Sequence, residues 1–184
     1  MKSILILGGA RSGKSRLAVA MARKRGGDVL FVATAEARDA EMQQRIEAHR
    51  QARPKGWQTL EVSTHIGDQI ARKTGKARTV IIDCITLLVN NVFEQYDETV
   101  DASRLEKAVE TEIQGLLDGI TRSEALFIIV SNEVGLGIIP ADSISRLYRD
   151  LLGRANQMLA AHADEVYLLV AGIPITVKNN NFRR

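Results

Sequence analysis

The stretch GGARSGKS, residues 8–15, follows the apolar run SILIL and satisfies the pattern G-x-x-x-x-G-K-[ST]. The glycines allow a tight loop whose backbone amides face phosphate oxygens, Lys14 reaches the β and γ phosphates, and Ser15 can ligate Mg²⁺. The alternative is an ordinary glycine-rich turn. Because the motif stands between a predicted strand and a predicted helix, we favour the first interpretation, and the stretch predicts binding of a nucleoside triphosphate.

The rest of the chain alternates apolar β-rich runs with amphipathic stretches. The runs are nearly continuously apolar, as is typical of strands covered on both faces; they occupy residues 3–7, 28–34, 79–83, 126–131 and 165–171. Alternation of strands and helices predicts a mainly parallel central sheet flanked by helices. With the phosphate loop, this predicts an α/β fold of the RecA-like P-loop NTPase type. We expect one domain over residues 1–184, with a frayed tail at 179–184.

A further helix is predicted by RDAEMQQRIEAHRQAR, residues 38–53, and Pro54 should end it. Arg45, His49 and Arg53 are spaced i, i+4, i+8 in this stretch, so all three would share one helix face. The following WQTLEV, residues 57–62, predicts a short strand at the edge of the sheet.

Asp83 ends the run TVIID, where the chain leaves the carboxyl end of a predicted parallel strand. This position suits a carboxylate that holds Mg²⁺ or its water together with Ser15. The alternative is that Asp83 caps the helix that follows. The chain has no N-K-x-D stretch, which disfavours a signalling GTPase.

Composition excludes several classes of protein. The 184 residues carry 25 Lys and Arg against 22 Asp and Glu, a net charge of only +3 that is a weak argument for a nucleic-acid partner. The first apolar run is too short for a signal peptide or a membrane span. A single cysteine, Cys84, rules out an intramolecular disulfide. We expect a cytoplasmic protein that binds no nucleic acid.

His49 is the histidine with the greatest chemical interest. Neighbouring arginines would lower its pKa and keep a nitrogen lone pair available, and the same guanidinium groups could bind a triphosphate and stabilise a departing pyrophosphate. A neutral imidazole could then attack phosphorus. The alternative is a solvated residue on a basic helix surface. We interpret His65 and His162 as structural.

Several segments in order carry a resemblance to a known family. GGARSGKS, VATAEARDAEMQQRIEAHRQARPKGWQTLE, SNEVGLGIIP with RLYRDLLGRANQ, and ADEVYLLVAGIP together resemble bifunctional adenosylcobinamide kinase/adenosylcobinamide-phosphate guanylyltransferase. The resemblance covers essentially the whole chain and is weakest at residues 92–124.

The resemblance implies two reactions in assembly of the nucleotide loop of adenosylcobalamin. A nucleoside triphosphate, GTP or ATP, first phosphorylates the hydroxyl of adenosylcobinamide. GTP then gives GMP to adenosylcobinamide phosphate, with release of pyrophosphate, through a guanylylated histidine at the position of His49. The resemblance also implies a homo-oligomer, with a trimer suggested.

The same resemblance implies catalytic roles for His49 and Lys14, and GTP contacts from residues of the phosphate loop, the second strand and the 38–53 helix. These contacts are Gly8, Gly9, Ala10, Arg11, Ser12, Gly13, Lys14, Ser15, Ala33, Thr34, Ala35, Arg50, Gln51, Ala52, Arg53, Glu61 and Asp83. The carboxylate of Glu61 could accept hydrogen bonds from guanine or from ribose, or could simply be a solvated edge-strand acid. Glu133 is a further candidate for positioning substrate.

Two other functions fit parts of the sequence. One is a P-loop kinase for a small alcohol that lacks guanylyltransferase activity, with His49 as a surface residue. The other is a RecA-type regulatory ATPase that binds a protein or nucleic acid, which the near-neutral charge disfavours.

Overall fold

The computed structural model describes residues 3–51, 53–97 and 100–179. These residues form a seven-stranded sheet with the strand order β3-β2-β4-β5-β1-β6-β7. The strands are β1 (Ser3–Gly8), β2 (Val29–Ala33), β3 (Gln58–Glu61), β4 (Thr79–Asp83), β5 (Leu126–Val130), β6 (Glu165–Val170) and β7 (Ile173–Asn179). The helices are α1 (Lys14–Arg25), α2 (Ala40–Gln51), α3 (Ile66–Lys73), α4 (Ile85–Phe93), α5 (Ala102–Thr121) and α6 (Ser143–His162).

Strands β1 to β6 pair in parallel, which confirms the predicted α/β fold with a mainly parallel sheet. Ala33, Asp83 and Val130 are register partners across β2, β4 and β5, and Val130 pairs in turn with Ile6 of β1. The carboxyl ends of these strands therefore lie at one edge of the sheet. One strand, β5, separates β1 from β4, so the phosphate loop and Asp83 emerge about 10 Å apart across the sheet.

The two faces of the sheet are covered unequally. Helices α3, α4, α5 and α6 pack on one face and supply most of the larger buried cluster. The opposite face is covered by α1, through Ala18 and Ala22. Helix α2 has no buried residue among its described side chains. The second face is thus only partly covered, and this leaves room for a cleft between α1 and α2.

The structure corrects the predicted end of the chain. Residues 173–179 form β7, which pairs antiparallel with β6 as an edge strand that the sequence analysis did not predict. Asn179, placed in the expected frayed tail, is the last residue of this strand, and the remainder of that tail lies outside the described residues. Ile173, Ile175 and Val177 alternate with Pro174, Thr176 and Lys178, but a proline within such a run disfavours its interpretation as a strand except at a sheet edge.

A second correction concerns the helix predicted at 38–53. It ends at Gln51, so Arg53 lies beyond it and does not share a helix face with Arg45 and His49. Pro54 acts as predicted, since the residue before a proline disfavours helical geometry. The predicted edge strand is confirmed as β3, next to β2.

Helices α3 and α5 pack in unusually close contact. Gly67 of α3 lies against the backbone of α5, where an added Cβ would stand 2.0 Å from the carbonyl oxygen of Gly115. The carboxylate of Glu112 accepts hydrogen bonds from the amides of His65 and Ile66, at 2.7 and 2.9 Å. Helix α5 therefore caps the start of α3 and holds the segment that follows β3.

We expect Gly67→Ala to lower the free energy of unfolding by about 1–3 kcal/mol, because the new methyl group forces the two helix backbones apart. Thermal or urea denaturation measures the change. Gly153→Ala in α6 is the matched control, since nothing lies within 4 Å of its added Cβ, and this variant should be neutral or slightly stabilised. Equal stability of the two variants would contradict the close packing of α3 on α5.

Candidate functional site

The phosphate loop connects β1 to α1 and requires glycine at both of its ends. A Cβ on Gly8 would lie 2.7 Å from the carbonyl oxygen of Leu169 and 2.7 Å from Ser12 Oγ. Gly13 precedes α1 with a φ of 97°, in the left-handed region that favours glycine. The loop thus presents its amides and the amino end of α1 to one point, which is an anion-binding geometry.

Lys14 is the first residue of α1, and its side chain is held inside the loop. Only 7% of the residue is exposed, and Nζ donates a hydrogen bond to the carbonyl oxygen of Gly9 at 2.8 Å. Burial lowers the pKa of Lys14, while the nearby Cys84 and Asp83 act in the opposite direction. The ammonium group has further N–H donors, so it can also bind phosphate oxygens.

Asp83 ends β4 at the same edge of the sheet and is not the cap of the following helix, where Cys84 takes the N-cap position. Its Oδ2 atom is buried and makes no hydrogen bond within the described part of the chain. Asp83 and Ser15 both line the cleft. A buried carboxylate oxygen without a partner and a hydroxyl are oxygen ligands of the kind that Mg²⁺ takes, so these residues fit that ion.

Thr34 holds the end of β2 against the end of β4. Its hydroxyl donates to the carbonyl oxygen of Cys84 at 2.7 Å and accepts from the Cys84 amide at 2.8 Å. Asn91 Nδ2 donates to the carbonyl oxygens of Thr34 and Ser63 at 2.8 and 3.0 Å. Burial raises the pKa of the Cys84 thiol to about 11, so Cys84 is a neutral packing residue. This network positions three strand ends and leaves Thr34 away from the cleft lining.

Helix α2 stands on the opposite side of the cleft and is attached mainly through its ends. Just before the start of the helix, Arg38 Nη2 donates to Asn91 Oδ1 of α4 at 2.9 Å. Near its end, Arg50 Nε donates to Glu61 Oε1 at 2.9 Å, and Arg50 Nη2 contacts the same oxygen. His49 lies in the last turn of α2; its side chain is outside the described part of the structure.

Arg53 lies at the floor of the cleft. Its guanidinium carbon is 4.0 Å from the centre of the Phe31 ring, a cation–π contact, and its buried Nε has no hydrogen-bond partner among the described residues. Burial lowers the pKa of Arg53, opposed by the charges of Asp83 and Glu61. The guanidinium is therefore pre-positioned, with donor capacity available for an anion.

These groups surround one cleft of about 1960 Å³. Twelve of the predicted contact residues line it, namely Ala10, Arg11, Ser12, Gly13, Lys14, Ser15, Ala33, Ala35, Arg50, Arg53, Glu61 and Asp83. The lining does not include Gly8, Gly9, Thr34 or Gln51, and Ala52 is outside the described residues. Most of the residues that the resemblance implied, although dispersed in sequence, are thus brought to one site.

Other residues of the lining were not identified from the sequence. Arg16 and Arg23 lie on α1 facing the cleft, and Asn132 follows β5 at the sheet edge. The arginines are seven residues apart on a helix, which is the one signal that could have placed them on a shared face. Glu133 is absent from the lining; its Oε1 accepts the Gly135 amide at 2.7 Å and so stabilises its own loop.

No helix of the described residues is long and apolar enough to cross a membrane. Those residues also contain no cluster of three or more His, Cys, Asp or Glu side chains that could hold a metal ion. Any metal in the cleft would therefore depend on a mixed set of protein, phosphate and water oxygens, as is usual for Mg²⁺.

Known proteins resemble this chain over nearly its whole length. Residues 4–177 match the family described as cobinamide kinase / cobinamide phosphate guanyltransferase. The chain is 41% identical to the bifunctional adenosylcobalamin biosynthesis protein CobU of Escherichia coli (strain K12) over 180 residues, covering 95% of this chain and 99% of the relative.

Two further relatives show the same coverage. The CobU protein of Salmonella typhimurium is 41% identical over 183 residues, with 95% of this chain and 99% of the relative aligned. The bifunctional protein CobP of Pseudomonas aeruginosa is 38% identical over 174 residues, with 95% and 96% aligned. The family resemblance seen in the sequence is thereby confirmed, and this chain belongs to the cobinamide kinase / cobinamide phosphate guanyltransferase family.

Proposed function

We propose that this enzyme carries out its two reactions in the single cleft between α1 and α2, with GTP as the nucleotide. One observation carries the proposal: the phosphate loop with Lys14, the carboxylate of Asp83 and the guanidinium of Arg53 line the same cleft as α2. The first reaction transfers the γ-phosphoryl group of the nucleotide to the hydroxyl of adenosylcobinamide. The second transfers GMP to adenosylcobinamide phosphate.

The phosphate loop binds the phosphates of the nucleotide in both reactions. Its amides and the Lys14 ammonium bind the β and γ phosphates and stabilise the negative charge that develops on them during transfer. Mg²⁺, held by Ser15 and Asp83, would neutralise further charge on the phosphates. Burial of Lys14 strengthens its attraction for phosphate, because competing water is excluded from its surroundings.

His49 is the proposed nucleophile of the GMP transfer. A neutral imidazole nitrogen attacks the α-phosphorus of GTP, an N–P bond forms, and the bond from that phosphorus to the β-phosphate oxygen breaks, with release of pyrophosphate. An oxygen of adenosylcobinamide phosphate then attacks the same phosphorus and the N–P bond breaks. The position of α2 along the cleft, with Arg50 adjacent in sequence and Arg53 on the floor, supports this role.

The ion pair of Arg50 with Glu61 links α2, the helix of the proposed nucleophile, to β3. Glu61 is the carboxylate proposed to accept hydrogen bonds from guanine or ribose, and here it receives Arg50. Both side chains are about half exposed, so the pair is weak and can exchange partners at low cost. Helix α2 has no buried anchor among its described side chains, which permits it to shift when a nucleotide takes over Glu61.

Replacement of Lys14 by Ala should reduce both activities by about a hundredfold to a thousandfold, because both reactions depend on the same grip on the phosphates. Initial rates of phosphate transfer and of pyrophosphate release measure the two activities. Lys24→Ala, an exposed position on the same helix outside the cleft lining, should leave both rates near the wild-type values. Undiminished GMP transfer by the Lys14 variant would show that the two reactions use different nucleotide sites.

His49→Ala should abolish GMP transfer and leave most of the phosphorylation of adenosylcobinamide intact. GTP labelled at the α-phosphorus should leave covalent label on denatured wild-type protein but none on the variant. His162→Ala, at the end of α6, is the control and should retain the label. Loss of label in the control, or its retention without His49, would assign the nucleophile elsewhere. Absence of label from the wild-type protein would favour the kinase-only alternative.

We also propose that the chain forms a homo-oligomer through an apolar face made by Val170, Ile173 and Ile175. Val170 pairs with Ile173 across β6 and β7, and Ile175 pairs with Leu168, so these side chains share one face of an edge strand. They remain 53%, 67% and 50% exposed, beyond the reach of α6. A second copy of the chain that packed here would cover both the unpaired edge of β7 and its exposed apolar face.

Ile175→Asp should therefore shift the protein toward a smaller species, because a carboxylate would be buried against apolar side chains. Sedimentation velocity or light scattering measures the molar mass. Thr176→Asp places the same charge on the opposite face of β7 and should leave the mass unchanged. An identical mass for wild type and both variants would exclude this face from the interface.

A further inference from the structure

The cleft extends well beyond the phosphate loop along α1. Arg16, Val19, Ala20 and Arg23 all line it, and their spacing of three, four and seven residues places them on one stripe of the helix. Arg23 lies nine residues beyond Lys14, about 13 Å farther along the axis. The stripe therefore continues the site away from the point where the triphosphate is gripped.

The opposite wall of this extension is α2. Met42 and Ile46 are half-buried and line the cleft across from α1. We call the space between the α1 stripe and these two side chains the α1–α2 groove. The whole cleft, at about 1960 Å³, exceeds the roughly 300–1,000 Å³ of most small-molecule sites. A nucleotide alone leaves much of this volume unfilled.

The charges of the groove are unbalanced. The side chains of Arg16 and Arg23 make no ion pair or hydrogen bond in the described part of the chain. Three acids of the lining are engaged with other groups: Gln51 Nε2 donates to Glu47 at 3.0 Å, Arg38 to Glu36 at 3.0 Å, and Arg50 to Glu61 at 2.9 Å. The fourth, Asp83, ends β4 at the sheet edge beside the phosphate loop. The α1 wall therefore presents unpaired positive charge next to apolar surface.

The guanidinium of Arg16 also lies beside the phosphate loop. A Cβ on Gly172 would lie 3.4 Å from Arg16 Nη2, and one on Gly13 would lie 3.7 Å from it. Arg16 thus stands between the loop and the turn that joins β6 to β7. Helical side chains point toward the amino end of their helix, so Arg23 is expected to extend over Val19 and Ala20 toward Arg16, and both arginines line the same cleft.

We propose that the α1–α2 groove binds the cobinamide substrate, and that Arg16 and Arg23 bind the phosphate of its phosphorylated form. This inference rests on the proposed function. The alcohol used in the first reaction is neutral at the reacting end, whereas the acceptor of the second reaction carries a phosphate. Guanidinium groups bind phosphate oxygens in bidentate fashion, and the apolar side chains of the groove contact the bulk of the large acceptor.

Arg23→Gln provides the test, because it is the arginine farther from the phosphate loop. The KM for adenosylcobinamide phosphate in GMP transfer should rise about tenfold to a hundredfold, the loss expected for one charge-assisted contact. The fold-increase in the KM for adenosylcobinamide in the phosphorylation reaction should be at least about ten times smaller than this. Arg23→Lys keeps the charge without the bidentate geometry and should give an intermediate KM for the phosphorylated acceptor.

Arg25→Gln is the matched control, on the same helix and outside the cleft lining, and should leave both KM values unchanged. An equal rise for both acceptors, no rise for either, or a weakened Kd for GTP in Arg23→Gln would overturn the proposal. Failure of the proposed function is distinguishable, because wild-type protein would then transfer no GMP. In that event calorimetric binding of adenosylcobinamide phosphate to wild type and to Arg23→Gln still tests the groove, and equal affinities would refute it.

Discussion

Parallel pairing of β2, β4, β5 and β1 is the constraint on which the site depends. It brings Ala33, Asp83 and the phosphate loop to one edge of the sheet, although fifty residues separate Ala33 from Asp83 in sequence. The hydrogen bonds of Thr34 with Cys84 then hold two of these strand ends together. Lys14 and the Oδ2 atom of Asp83 are buried at this edge. They retain donor and acceptor capacity that a triphosphate and a cation can use.

The unequal covering of the sheet explains why a large cleft exists. Four helices bury one face, while the other is packed by α1 and only approached by α2. A helix with few buried contacts is held by its ends, and local shifts of such an element cost little free energy. The part of the enzyme proposed to carry the nucleophile is therefore also its least tightly packed helix. This arrangement suits the proposed reactions, which involve the γ-phosphorus of the nucleotide in one transfer and the α-phosphorus in the other.

Charge acts locally in this protein. A net charge of +3 on 184 residues indicates little by itself, yet the α1 wall of the cleft concentrates arginines that have no acidic partner in the described part of the chain. The glutamates of the cleft are bonded to arginines or glutamine nearby. This separation is a property of the folded surface, because residues on one helix face are not neighbours in the sequence.

The sequence by itself determined the first six strands along the chain, the phosphate loop and the family, because each depends on local pattern: apolar runs, glycine spacing and ordered motifs. Only the tertiary structure decided that Arg53 leaves its predicted helix to stack on Phe31, that Thr34 faces Cys84, that residues 173–179 form an edge strand, and that Arg16 and Arg23 line the cleft. The positions of Arg53, Thr34 and the two arginines depend on how segments distant in sequence pack together, and the edge strand depends on its pairing with β6, so local patterns alone do not decide them.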